Sequence, residues 1–304
     1  MPHGRNPGAT GQQSVSLVIP AYNGERYLSE TISSALAQTV PVVELQVLDN
    51  ASTDNTAGIA SQMLPSESVV IHPRNIGAAA NFRAGLVGSS QTEYFAWLAV
   101  GDRLHPRFIE TALSVLDQSP DAPACLTGIR FIDADGAELG TQTDEELASP
   151  DTSRRLRSFL RRSRWTEFYC LYRREALMRS LGVVPDYGSD VILTWWFLMR
   201  SPLAVTSEVL LDYRIEGEKT VSDVDKSLDP SAPRSHWHMR RLWMKLWSMT
   251  ADPDIEPGSR RVARRELVLA LVHRNWVVHI GADVADRWPS LRRPGLAVKK
   301  RILR

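Results

Sequence analysis

Four apolar runs each end in polar residues whose types and spacing could build one crevice for an anionic ligand and a proton transfer. "VSLVIP" (15–20) leads into Tyr22, Asn23 and Glu25, "VVELQVL" (42–48) into Asp49 and Asn50, "SVVI" (68–71) into Arg74 and Asn75, and "YFAWLAV" (94–100) into Asp102. A carboxylate at a strand end can accept an N–H donor, which uracil, thymine and guanine all present. Gly77 lets the backbone turn tightly before a helix whose amino end can face phosphate. In "PDYGSDVILTWWFLMR", Asp190 follows Gly188 and Ser189 and precedes an apolar helical run. A carboxylate at a helix amino end stays ionised, as a general base must. Asp186 is the reserve candidate. Taken singly, Asn23, Ser52, Thr53 and Asp54 read as turn and cap residues, and so does Asp190; four strand ends in register argue for a common purpose.

The elements that must position these groups follow from periodicity. Continuous apolar runs suit strands covered on both faces. Leu28, Ile32 and Leu36 recur every four residues and predict an amphipathic helix over 26–38. "DNASTDNT" supplies caps for a helix through Ile59 and Met63, a third helix spans about 78–88, and Pro106 opens a fourth. Four such alternations predict a mainly parallel α/β sheet with ligands at the carboxyl ends of its strands. Asp133-Ala134-Asp135-Gly136 marks a hairpin. Strand signals fade after Ser235. The expected division is a flexible tail at 1–13, an α/β domain at 14–224 and a C-terminal helical region at 225–304 ending in a basic run.

With 304 residues, 43% hydrophobic and 23% charged, the chain is long enough for one large domain with an appendage. A net charge of +1 gives no global case for nucleic acid. Cys125 and Cys170 make no disulfide framework and no zinc motif, so a reducing cytoplasm is the expected setting. Neither a signal peptide nor a run of ~18 apolar residues is seen. No GxGxxG follows the first strand, which argues against a dinucleotide oxidoreductase. The HxH of His236 and His238 falls on a helical pattern, where the two side chains diverge.

The stretches "LVIPAYNGERYLSETISSALAQT", "VLDNASTDNT", "RNIGAAANFRAGL", "WLAVGDRLHP" and "YGSDVILTWWF", in this order between about Ser14 and Thr220, resemble the inverting glycosyltransferases of family 2, which have the GT-A fold. The resemblance implies a nucleotide-binding, mainly parallel sheet flanked by helices. It implies that Pro20, Ala21 and Tyr22 line the base pocket of a nucleotide-sugar, that Asp49 reads the base, and that Asn23, Glu25, Asn50, Arg74, Gly77, Asn81 and Asp102 complete the donor site. Asp190 takes the place of the family's catalytic Asp. The family's Arg-Asn pair is replaced by Phe82-Arg83, and Asn81-Phe82 looks like a branch of the family.

The family usually carries Asp-x-Asp and often a further Asp after the fourth strand, to hold ribose and a divalent cation (Mn or Mg); here Ala99, Val100, Gly101 and Asp102 stand in those positions. Mg²⁺ often keeps waters and uses one or two carboxylates plus substrate phosphates, so Asp102 and Glu216, which follows the "YR" pair, are the expected metal ligands. The alternative is cationic, with Arg103, Arg214 or Lys219 neutralising the leaving diphosphate. In "YxLYRR", Cys170 replaces a usual Gly, and Trp165, Tyr169 and Tyr172 either stack on sugar or belong to the core. The expected activity is sugar transfer, with inversion, to a glycan, lipid-linked or small-molecule hydroxyl acceptor. The rival is a non-catalytic nucleotide-sugar-binding protein with a decayed metal loop. The run "RWPSLRRPGLAVKKRILR" has no acid and reads as a solvated basic tail of a cytoplasmic protein or, alternatively, as a cluster that attracts anionic headgroups at the inner face of the membrane.

Overall fold

The computed structural model describes residues 14–162, 165–180, 188–215 and 238–271. The expected tail at 1–13, Asp186, Glu216, Lys219, His236, the boundary near 225 and the basic C-terminal run lie outside the described residues.

Strand β1 (Val15–Ala21) is buried along its whole length, as its unbroken apolar run requires of a strand covered on both faces. Helix α1 (Leu28–Leu36) returns over it, burying Leu28, Thr31, Ile32 and Ala35. Then come β2 (Glu44–Asp49), α2 (Thr56–Met63), β3 (Val69–Ile71), α3 (Ala78–Gly88) and β4 (Tyr94–Trp97), all four strands parallel. After β5 (Arg103–Leu104) and α4 (Phe108–Asp117), β6 (Ala124–Ile132) and β7 (Glu138–Gln142) form the hairpin expected around Asp133 to Gly136. The rest is α5 (Thr152–Arg162), β8 (Leu171–Arg173), α6 (Arg174–Arg179), α7 (Ser189–Leu198), β9 (Ala204–Arg214), α8 (His238–Met249) and α9 (Pro257–Leu271).

The nine strands form one sheet in the order β3-β2-β1-β4-β8-β6-β9-β5, with β7 on β6. Its β3-β2-β1-β4 half is parallel; beyond it β8, β7 and β5 pair antiparallel, and β6 with β9 is parallel again. Strand β4 stops at Trp97, short of the end of its apolar run, because the chain turns so that the Asp102 N–H donates to the Ala99 carbonyl at 3.1 Å.

The "YRR" of residues 172–174 is part of the scaffold. Arg173 donates to the Leu116 carbonyl at 2.8 Å near the end of α4, and Arg174 to the Leu86 carbonyl at 2.6 Å and the Ser89 carbonyl at 3.2 Å at the end of α3. Each guanidinium satisfies carbonyls left over at a helix carboxyl terminus and complements its dipole. Both C-terminal helices pack on the α/β body. Glu266 of α9 is buried and accepts from Arg157, Arg265 and Ser153, whose hydrogen bonds hold its carboxyl down to about 2 against the opposing effect of burial. Leu242 of α8 lies against Gly188 at the start of α7.

Candidate functional site

The carboxyl ends of β1 and β2 are in register, Ala21 opposite Asp49, and Asp49 lies opposite Ile71 of β3. The loops that follow β1 and β2 are zipped together. Asn23 N–H donates to Ser52 Oγ at 2.9 Å, and Thr53 N–H donates back to Asn23 Oδ1 at 2.9 Å. Gly24 N–H reaches Thr56 Oγ1, Glu25 N–H reaches Asp54, and Asn55 N–H reaches Glu25 Oε2. Asn23 sits at φ 49°, a conformation Asn tolerates better than most residues. Asn23 and Glu25, expected at the donor, therefore serve first as the lock between two loops. Tyr22, which precedes Asn23, is exposed, and Pro20 and Ala21 are buried in the strand.

Asp49 is buried, with both oxygens accepting from the Ser52 N–H (3.3 and 3.2 Å) and Oδ1 also from the Ser52 hydroxyl. A carboxylate has about four acceptor positions, so this turn orients Asp49 without exhausting it. Asn50 and Asn75 fix the loop after β3: Asn50 donates to Asn75 Oδ1 at 3.0 Å, and the Ile76 and Gly77 N–H groups donate to Asn50 and Asn75. Gly77 adopts φ 86° before α3, as expected of a turn that only glycine enters freely. Asn81 is another residue expected at the donor. It is buried, its amide donates to the Leu48 carbonyl at 3.0 Å, and its oxygen meets His72 Nε2 at 3.0 Å, so it ties α3 to β2 and faces inward. Arg74 is exposed and makes no hydrogen bond or ion pair among the described residues.

The loop after β4 abuts the loop after β1, where Val100 packs on Gly24. Thr31 of α1 accepts from the Gly101 N–H and donates to the Asp102 carbonyl, both at 3.0 Å. Asp102 is 3% exposed. Its Oδ1 accepts the Arg214 N–H at 2.9 Å, and its Oδ2 has no partner among the described residues. Burial pushes its carboxyl up to about 8, against the Arg214 N–H and guanidinium, which pull it down.

The cationic alternative fails for the two arginines described. Arg214 donates to the Gly101 carbonyl (2.9 Å), to the Asp133 and Ala134 carbonyls and to Glu30 (2.6 Å), with its guanidinium over the Tyr27 ring. Arg103 is held by Glu30 at 2.6 Å and Asp212 at 2.7 Å. Both are committed to the scaffold. Backbone conformation accounts for the lost carboxylate at 101: Gly101 has φ 102°, which strains any residue with a Cβ, although a Cβ there would be in ordinary contact with Arg214 at 3.7 Å.

Asp190 lies in the first turn of α7, behind Gly188 at φ 74°, and its Oδ1 accepts the Val191 N–H at 2.9 Å. Burial, and secondarily the charge of Glu167, raise its carboxyl to about 7 despite that hydrogen bond. Tyr169 and Tyr213, with ring centroids 5.9 Å apart, are each pushed up by burial and then by the charges of Asp102 and Asp190. Two carboxyls distant in sequence thus act electrostatically on one pair of phenols. Sequence reading missed Tyr213 and Glu167. Tyr172, a sugar-stacking candidate, is a core residue packed on Trp97 and Phe197. Trp165 is half-buried.

The sequence model of Glycosyl transferase family 2 matches residues 16–181. The chain belongs to this family. An uncharacterized glycosyltransferase of Rickettsia felis is 32% identical over 127 residues, 41% of this chain and 21% of that protein. One of Nostoc sp. is 30% identical over 144 residues, 44% of each chain. The chain thus spans between about a fifth and somewhat under half of the length of these relatives. Among solved structures, S. aureus TarS 1-349 in complex with UDP-GlcNAc superposes with a TM-score of 0.63 at 16% identity, covering 85% of this chain and 72% of that one. The mannosyltransferase PcManGT of Pyrobaculum calidifontis, in complex with GDP-Man and Mn²⁺, gives 0.53 at 15% identity, covering 96% and 80%. The fold is that of the GT-A glycosyltransferases, as the motifs implied.

The family 2 metal loop is reduced here to Asp102, and among the described residues no three His, Cys, Asp or Glu side chains converge on one point. One orphaned oxygen is offered by Asp102, while Glu30 and Asp212 nearby are taken by arginines. The described residues do not by themselves compose a cation site. Asp102 also makes a testable contribution to stability. Because its folded value is raised, its favourable contribution is present below about pH 4 and is lost as the pH rises through about 8. Asp102→Asn should therefore flatten the fall in melting temperature of the ligand-free protein between pH 4 and 8. An unchanged slope would show that Asp102 is not the group that titrates.

Proposed function

We propose that this family 2 member transfers a sugar from a nucleoside diphosphate to a hydroxyl acceptor with inversion, using Asp190 as base. The observation that carries the reading is that Asp190, at the start of α7, and Asp102, after β4, act on the same two tyrosines, Tyr169 and Tyr213, while Asp49 ends β2 in register with Ala21, the residue before Tyr22. In this reading Tyr22 offers its exposed ring to the base, Asp49 accepts a base N–H, and Arg74 approaches the diphosphate. The acceptor oxygen attacks the anomeric carbon from the face opposite the diphosphate while Asp190 takes its proton, and the bond to the phosphate oxygen breaks. A base with a carboxyl near 7 matches general-base catalysis at neutral pH. The complexes of TarS with UDP-GlcNAc and PcManGT with GDP-Man support a nucleotide-sugar donor. Both bases present an N–H, so the choice between them is left to a thermal-shift screen of nucleotides and nucleotide-sugars, with and without Mn²⁺, in which a true donor raises the melting temperature.

Asp49→Ala is expected to weaken nucleotide binding by ~1.5–3 kcal/mol, the range for a hydrogen bond to a charged group, with the fold retained. Calorimetric titration of both proteins checks this, and equal affinities would remove Asp49 from the donor site. The reduced loop favours a second reading, a nucleotide-sugar-binding protein without turnover. Tight donor binding with neither transfer nor donor hydrolysis would select it.

A further inference from the structure

We propose that the outer faces of α8 and α9 form a docking surface for an anionic lipid bilayer. Of the thirteen large apolar side chains exposed among the described residues, five lie on these two helices, among them Met244 (57%), Trp247 (41%) and Val268 (51%). Four of the five fall on two stripes at helical spacing, Leu269 lying off them. Met244 and Trp247 are i and i+3 on α8; Arg261, Arg264, Val268 and Leu271 are i, i+3, i+7 and i+10 on α9. The stripes meet where the Arg264 guanidinium lies 5.7 Å from the Trp247 ring and donates to Thr250 at 2.9 Å.

Every exposed charge on the two helices is positive. Helix α8 has no acid, and the one acid of α9, Glu266, is buried under Arg157 and Arg265. The exposed acids Asp254 and Glu256 belong to the connecting loop, off both stripes. Arginine interleaved with Trp, Met, Val and Leu on an exposed helix face is the pattern of an interfacial helix, whose apolar side enters the headgroup boundary while its cations meet anionic lipid. A nucleic acid would use the arginines and leave the apolar stripe unexplained. A second copy packed by two-fold symmetry would bring like charges together. No helix among the described residues is long and apolar enough to span a membrane, so the contact is peripheral.

The position of the surface relates it to the chemistry. Helix α8 places Leu242 against Gly188, two residues before Asp190. A bilayer lying on the outer face of α8 would be about one helix diameter, ~10 Å, from the start of α7, which suits a lipid-linked acceptor. That link rests on the proposed function, but the surface itself is tested without activity.

The full-length protein is sedimented with phosphatidylcholine vesicles with and without phosphatidylserine. Wild type is expected to partition onto the anionic vesicles in a salt-sensitive way, and Met244→Ser/Val268→Ser/Arg261→Glu to do so at least ~10-fold more weakly with an unchanged melting temperature. The three single variants, all at exposed positions, are measured alongside, so that a folding defect in the triple variant does not decide the result. The proposal is overturned if wild type shows no preference for the anionic vesicles. It is also overturned if variants and wild type bind equally, which would move any binding elsewhere on the chain, or if wild type is a dimer in sedimentation velocity that the variants dissolve.

Discussion

Asp190→Asn is expected to abolish sugar transfer while sparing donor binding. The amide keeps the shape of the carboxylate and its ability to accept the Val191 N–H, but it cannot take the acceptor proton. Loss of a general base costs on the order of 10²–10⁴-fold in turnover. The pH profile separates this from a structural defect. The base must be ionised, and burial raises Asp190 to about 7, so wild-type turnover should rise through that pH and level off above it. The residual rate of the variant should lack this limb. Steady-state rates across pH with a saturating donor provide the check; wild-type turnover in Asp190→Asn would move the base role, first to Asp186.

The second large effect is on stability. Arg214→Ala is expected to cost about 1–3 kcal/mol for each buried acceptor it orphans, because the Arg214 side chain is 3% exposed, although its ion-pair partner Glu30 is 42% exposed. Truncation strips donors from the Gly101, Asp133 and Ala134 carbonyls and leaves Glu30 with Arg103 alone. Arg214→Lys should recover only part of this, since an ammonium cannot span donors that a planar fork reaches together. Urea unfolding measures both variants. A loss below about 1 kcal/mol, the value typical of exposed ion pairs, would show that the loop after β4 does not depend on Arg214. Because the Arg214 side chain holds the Gly101 carbonyl beside Asp102, weakened donor binding in Arg214→Ala is expected alongside.

Both expectations combine features that local sequence carries with features it does not. Strands β1, β2 and β4 and helices α1 to α4 were legible because burial on both sheet faces demands unbroken apolar runs, and burial on one helix face demands the spacing of Leu28 and Ile32. Asp190 at a helix start and Gly77 before α3 were legible for the same local reason. Even the hairpin at Asp133 to Gly136 is short-range turn chemistry. What could not be read is the fate of each polar group, because hydrogen-bond partners are chosen across the fold. Asn81 and Arg74 are equally polar in the sequence, yet one is spent between Leu48 and His72 and the other is exposed without a partner among the described residues. Arg103 and Arg214 read as free cations until β9 and β5 pair and bring Asp212 and Glu30 to them. Likewise Asp102 and Asp190 are ordinary carboxylates by composition; only the packing around them raises their proton affinity, since desolvation is a property of the folded surroundings and not of the residue.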